Sequence, residues 1–181
     1  MARIKYVDKK DLSAANQDLL EPNYNAFRAL ANSPDCCRAF WGLGGFFQKR
    51  SKLDSRLREL ALLQVGWLAR CDYEWFHHVK VSLAVGVTEA DIRVIGDSEK
   101  SDSLDPVART VLKATREMYA GPGISAETIS ELKGYLNAEA LVDLVVVIGF
   151  YIGIVRMFGS LDLDLEPQYQ EYQERFPLPH P

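Results

Sequence analysis

Helix-starting signals recur every fifteen to twenty residues along this chain and leave little room for a sheet. Ser33-Pro34 and Asp105-Pro106 each set a capping side chain before a proline at the first helical position. The cap accepts from an otherwise orphaned N–H, and proline lacks the N–H that would go unpaired there anyway. Asp54, Asp72, Ser125 and Asn137 are further caps, and Thr88 with Asp91 has the form of a capping box with a shortened acid. These signals predict helices over about 13–31, 34–49, 55–70, 73–85, 88–96, 106–120, 126–134 and 138–158, with Pro22 breaking or kinking the first. No stretch reads as a convincing strand. The expected fold is all-α, with seven or eight helices in one domain over 1–161. A tail over 162–181 should lie along a surface of this chain or of a neighbour.

Composition narrows the function classes. A chain of 181 residues with 48% hydrophobic side chains suits one domain with a sizeable core. The net charge of -4 comes with no basic cluster, which argues against a nucleic-acid partner. Cys36, Cys37 and Cys71 are an odd number with an adjacent pair, which fits a reducing cytoplasm better than a secreted disulfide framework. The opening M-A-R-I-K-Y-V-D-K-K has no apolar signal core. Leu144 to Val155 is an uncharged run of twelve residues, short of the roughly 18 that a membrane span needs. It reads as a helix fully buried in a core or subunit interface, not as a span. In the second helix, Phe40, Trp41, Leu43, Phe46 and Phe47 should be buried, while Gly42, Gly44 and Gly45 weaken the helix or admit another backbone.

Chemistry-bearing residues concentrate between Glu59 and His78. Glu74 and His78 are four apart and meet on one helix face, which Cys71 joins from three residues earlier. A carboxylate beside a histidine in an apolar wall can orient the ring and raise its pKa for acid–base work. The plainer alternatives are a first-turn acid favoured by the helix dipole and a histidine that merely partners it. Cys71 at a helix start is either an activated thiolate or a small packing residue. His77 points roughly 100° away from His78 and is the weaker candidate, with packing or an inter-helix hydrogen bond as its alternative. Glu59 has apolar neighbours and lies near Gly66, which implies a small cavity; the competing reading pairs it with Arg56 or Arg58. Glu74-x-x-His77 has a di-iron spacing, but no second such motif exists and the remaining histidine, His180, is in the tail. No metal is expected.

The order Glu59, eleven residues, Cys71, two residues, Glu74, three residues, His78 resembles the carboxymuconolactone decarboxylase family, which includes the AhpD-type alkylhydroperoxidases. The AhpD-type pattern has Cys-x-x-Cys where this chain has Cys71-Asp72-Tyr73-Glu74. The flanking L-D-S-R-L-R-E-L-A and G-V-T-E-A-D-I extend the likeness from about Leu53 to Ile95. The resemblance implies an AhpD-like helical fold, assembly as a homo-oligomer such as a trimer or hexamer, and a site built from Glu59, Cys71, Glu74 and His78.

With Glu74 in place of the second cysteine, the peroxidase disulfide cannot form locally, and the decarboxylase branch is the nearer likeness. It implies a cofactor-independent lyase acting on a small carboxylated lactone or unsaturated acid. In that reading His78 is the acid or base, Glu74 orients it, and Glu59 is a second proton-transfer group in the cavity. Tyr73 is a possible hydrogen-bond donor, His77 lines the site, and Arg70 or Arg38 holds the substrate carboxylate. The alternatives are a thiol-dependent peroxidase using Cys71 and a catalytically silent oligomeric binding protein.

Overall fold

Most of the longer helices begin where a side chain or a proline deals with the first free N–H groups. The fold, a computed structural model, describes residues 2–100 and 103–179, without the side chains of 99 and 100; His180 lies outside the described residues. Among those residues there are nine α-helices, four 3-10 segments and no strand. The α-helices are α1 (Asn25–Leu30), α2 (Pro34–Lys49), α3 (Ser55–Ala69), α4 (Asp72–Ala84), α5 (Glu89–Arg93), α6 (Pro106–Ala120), α7 (Ala126–Lys133), α8 (Ala138–Leu161) and α9 (Gln170–Arg175).

Asp54, Thr88, Asp105, Ser125 and Asn137 accept from backbone N–H groups as their sequence positions imply, and Thr88 with Asp91 closes a capping box. Two expected caps differ. Ser33 makes no side-chain cap bond, and α4 starts one residue early, so that Cys71 and not Asp72 occupies its N-cap position. The long first helix is also absent. A 3-10 segment, Ala14–Leu20, ends before Pro22, and only α1 follows it. Proline at 22 cannot donate into a helical ladder, so the break falls there.

The core is organised around α3, which packs against α4, α6 and α8. Every residue of α3 from Leu57 to Gly66 is buried, the charged Arg58 and Glu59 included. Gly66 does not border a cavity as expected. A Cβ there would lie 3.3 Å from both the N and the Cα of Trp75, so at Gly66 the α3 helix lies close against the α4 backbone. The glycines of α2 do not admit another backbone, since Gly42 and Gly45 have nothing within 4 Å of a built Cβ and Gly44 would meet only the Trp41 and Phe150 side chains. Leu43, expected in the core, is exposed.

Helix α8 is not fully buried within the chain. Leu144, Val147, Ile148, Ile154 and Phe158 enter the core, while Val142, Val146 and Met157 on the same helix are exposed at 59%, 42% and 38%. The apolar run sits inside a 24-residue helix, which by length and composition alone is long enough to cross a membrane. The buried side chains make it a core helix of this fold.

The tail is more than a surface strip. Tyr169, Phe176 and Leu178 belong to the main core, and the Trp75 indole N–H donates to the Phe176 carbonyl at 2.9 Å. The N-terminal arm is tied to the tail by Arg3 N–H to the Leu161 carbonyl at 2.8 Å and Ala2 N–H to Asp164 at 3.1 Å. The C-terminal segment therefore packs on α4, and the N-terminal arm is fastened to the end of α8 and the start of the tail.

Candidate active site

Two carboxylates hold His78 from opposite sides. Glu59, wholly buried on α3, places Oε2 at 2.6 Å from His78 Nδ1 on α4. Its other oxygen accepts from Arg58 Nε at 3.0 Å, and Arg58 is itself fixed by donating to the Phe47 carbonyl at 2.9 Å. On the far side, His78 Nε2 is 3.3 Å from Glu74 Oε2, the separation of an ion pair one helical turn apart. That Glu74 oxygen is buried and makes no hydrogen bond within the described residues.

These contacts decide the protonation of the ring. Burial opposes a charge on His78, but the Glu59 carboxylate and then Glu74 outweigh it and push its pKa up to about 10. Burial likewise works against an ionised Glu59, and the charges of His78 and Arg58 overcome it and hold its carboxyl below the ordinary value. The resting site is an imidazolium gripped by Glu59 and ion-paired with a Glu74 oxygen that makes no hydrogen bond among the described residues. A buried oxygen short of hydrogen bonds costs free energy, and such a cost is commonly met at sites that receive a ligand group.

Glu74 and His78 open onto a cavity of about 430 Å³ whose walls also include Tyr24, Trp41, His77 and Tyr151. The Tyr151 ring meets the His78 ring edge-on, with centroids 5.1 Å apart. Its hydroxyl is pushed well above its ordinary pKa by burial and by the charges of Glu74 and Glu59, so it stays protonated. Lys49 also lines the cavity, and among the described residues it has no ion-pair partner. A larger cleft of about 600 Å³, lined by Arg109, Lys113 and Glu131 among others, contains no histidine or cysteine.

A second network adjoins the first. His77 Nε2 lies 2.7 Å from Glu166 Oε2, while Glu166 Oε1 accepts from the Tyr73 hydroxyl at 2.8 Å and the Asn25 N–H at 2.6 Å. The His77 ring is stacked on Tyr73 at 4.5 Å and tilted against Tyr169 at 4.0 Å. Burial raises the Glu166 carboxyl, but the hydrogen bonds from His77 and Asn25 more than offset it and lower its pKa.

Several sequence assignments change. Glu59, not Glu74, makes the tight contact that orients His78, and Glu59 sits behind the ring, outside the cavity lining. Its alternative reading as a partner of Arg58 holds at the same time. Tyr73 lines the cavity, but its hydroxyl donates to Glu166 and accepts from the Ala26 N–H at 2.9 Å, so it is committed to the fold. Arg38 is exposed and bound to Asp18 by contacts of 2.8 and 2.9 Å; Arg70, in a left-handed conformation at the end of α3, covers the Trp67 ring. Neither arginine lines the cavity.

Cys71 also lies outside the lining and packs against the core. Burial, reinforced by the charges of Glu74 and Asp72, pushes its thiol up to about 11, although the first N–H groups of α4 work the other way. Cys37 is buried in a separate apolar cluster under the N-terminal segment. Glu166, Tyr151 and Lys49 went unnoticed in the sequence, where nothing local marks them. Among the described residues no group of three or more His, Cys, Asp or Glu side chains is arranged to hold a metal ion.

Residues 34–117, from the start of α2 into α6, match the model of the carboxymuconolactone decarboxylase family. No curated protein matches the chain in sequence. Among solved structures, the chain is similar to the AhpD-core uncharacterised peroxidase-related protein from Ralstonia eutropha JMP134, with a TM-score of 0.80 at 18% identity over 93% of this chain and 94% of that one. A putative antioxidant defence protein AhpD from Agrobacterium tumefaciens gives 0.69 at 20% identity over 76% and 94%. The debrominase Bmp8, bound to 2,3,4-tribromopyrrole, gives 0.79 at 16% identity over 97% and 98%. At these identities the likeness establishes a shared AhpD-like fold.

Proposed function

We propose that this chain, which carries a carboxymuconolactone decarboxylase family segment over residues 34–117, is a cofactor-independent lyase acting on a small carboxylated lactone or unsaturated acid. The observation that carries the reading is the His78 imidazolium, ion-paired at 3.3 Å with a buried Glu74 oxygen that makes no hydrogen bond among the described residues, at the wall of one cavity. When the bond to the departing CO2 breaks, its electron pair moves into the conjugated carbonyl. His78 Nε2–H meets the charge that develops on that oxygen, and the carbon that lost CO2 then takes the Nε2 proton by way of the Glu74 carboxylate, after which solvent water reprotonates the ring. Glu59 keeps the ring in position. Lys49 replaces the two arginines as the cation that can meet the substrate carboxylate at the cavity wall.

The thiol peroxidase reading is less well supported. Cys71 has a raised pKa, lies outside the cavity lining and has no second cysteine in its motif. The experiment is a ¹³C-carboxyl release assay with a panel of carboxylated lactones and unsaturated acids. CO2 release should survive Cys71→Ser and fall by about 10²–10⁴-fold in His78→Gln. Peroxide reduction abolished by Cys71→Ser, with no CO2 release from any member of the panel, would overturn the reading. Ligand binding without turnover would leave a silent binding protein.

We also propose that the protein works in the cytoplasm as a homo-oligomer, a trimer or hexamer. The exposed Val142, Val146 and Met157 of α8, with Leu43 of α2, supply apolar surface for such contacts. Light scattering of the full chain tests this, and a monomer would exclude it.

A further inference from the structure

The cavity has a second imidazole, and the groups around it define which nitrogen is free. Glu166 receives donors at both oxygens, with Asn25 N–H and Tyr73 O–H at Oε1 and His77 Nε2 at Oε2. A carboxylate accepting at Oε2 requires the proton of the neutral ring to sit on Nε2, which leaves the lone pair on Nδ1. That Nδ1 makes no hydrogen bond among the described residues and is not sealed from solvent. His77 itself lines the same cavity as Glu74 and His78. Stacking on Tyr73 and Tyr169 fixes the ring plane, so Nδ1 is held in place.

We propose that His77 is a second acid–base group of this cavity, held as the Nε2–H tautomer by Glu166 and presenting a basic Nδ1 to a small unsaturated acid or lactone. Glu166 is then a positioning residue. The assignment rests on the acid–base reading above and extends it to proton relocation between carbons. His77 Nδ1 takes a proton from the carbon next to the carbonyl. The electron pair of that C–H bond moves into the carbonyl, whose oxygen is met by the His78 imidazolium. His77 exchanges that proton with solvent and returns one either beside the carbonyl or at the far end of the conjugated system, where the double bond shifts, so that no proton is gained or lost overall. Successive residues of α4 thereby supply to one cavity an imidazolium and a ring whose Nδ1 is free of hydrogen bonds among the described residues, the pairing that separate acid and base roles require.

The test uses the full chain with ¹⁵N-labelled histidine. In the wild type, His77 should show a protonated Nε2 and a bare Nδ1, and diethylpyrocarbonate should carbethoxylate His77 while sparing the protonated His78. Glu166→Gln should mix the two tautomers of His77. A protonated Nδ1, or a His77 inert to the reagent, overturns the proposal whether or not any substrate is known. α-Angelica lactone in D2O then probes the role itself. Enzyme-dependent deuterium uptake beside the carbonyl that His77→Gln reduces at least tenfold supports it. Uptake unchanged in His77→Gln but lost in His78→Gln overturns the part given to His77 and leaves the acid–base reading standing. No uptake by the wild type, alongside CO2 release in the ¹³C assay, overturns the proton shift alone.

Discussion

Successive histidines of α4 are each held by a buried carboxylate, yet the two pairs are built from different material. The Glu59–His78 pair spans 19 residues and joins adjacent core helices. The Glu166–His77 pair spans 89 residues and joins α4 to the C-terminal segment, with the N-terminal segment attached through Asn25. The inner pair is backed by Arg58 and buried in the core, with only His78 of the two reaching the cavity wall, so its charges are fixed by burial and by one another. The outer pair is held by hydrogen bonds from segments that wrap the body. An inner fault should therefore propagate into the core, whereas an outer fault should loosen the wrapping first.

The largest effect should come from Glu59→Gln. It leaves His78 and Arg58 buried without their shared counter-charge, at a cost of about 3–5 kcal/mol by denaturant unfolding. His78 should then titrate well below the value of about 10 that it has in the wild type, while the His77 tautomer stays unchanged. The same proton sets a pH dependence. The ring's ordinary pKa of 6.5 rises to about 10 in the fold, so its contribution to stability is complete below 6.5 and is lost as pH rises through about 10. Wild-type unfolding midpoints should fall across that window, and the fall should be much reduced in Glu59→Gln.

Glu166→Ala comes next. It orphans the Asn25 N–H and the Tyr73 hydroxyl, each worth about 1–3 kcal/mol when buried and unsatisfied, part of which water entering the gap will recover. Hydrogen exchange should speed up first in α1 and the residues around Tyr169, with the His78 titration unmoved; a moved titration would mean the two pairs are not separable. Gly66→Ala should cost about 1–3 kcal/mol through overpacking, because the added methyl meets the backbone of Trp75. It should disturb the His78 resonance and spare that of His77. Cys71→Ser is the smallest, within about 1 kcal/mol, with both histidine titrations preserved.

The same contrast explains what could be read from the chain. Helix starts were legible at Asp54, Thr88, Asp105, Ser125 and Asn137, because capping is local and the side chain bonds three residues on. The Glu74–His78 contact followed from helical spacing alone. Glu59 was placed at the site by resemblance, but its role as the orienting partner depends on how α3 lies against α4, which no local pattern encodes. Glu166 was illegible for a stronger reason, since it reaches His77 only after the chain has built α5 to α8 and returned. Arg38 and Arg70 failed because charge says nothing about direction. Arg38 lies outside the cavity with Asp18, and the left-handed turn at residue 70 carries the other side chain onto Trp67.

The close approach at Gly66 has a consequence for how this site can change over time. The 2.6 Å contact between Glu59 and His78 joins the same pair of helices that lie close together at residue 66, where a hydrogen atom stands in place of a methyl group. The absent side chain works as a gauge block between the two halves of the mechanism. Residues lining the cavity can be exchanged one at a time, and substrate preference can drift with them. The spacing itself cannot drift by small steps, because the smallest available step at residue 66 is a whole carbon atom driven against main chain. Selection can therefore vary what enters the cavity far more freely than the geometry of the charged pair behind it.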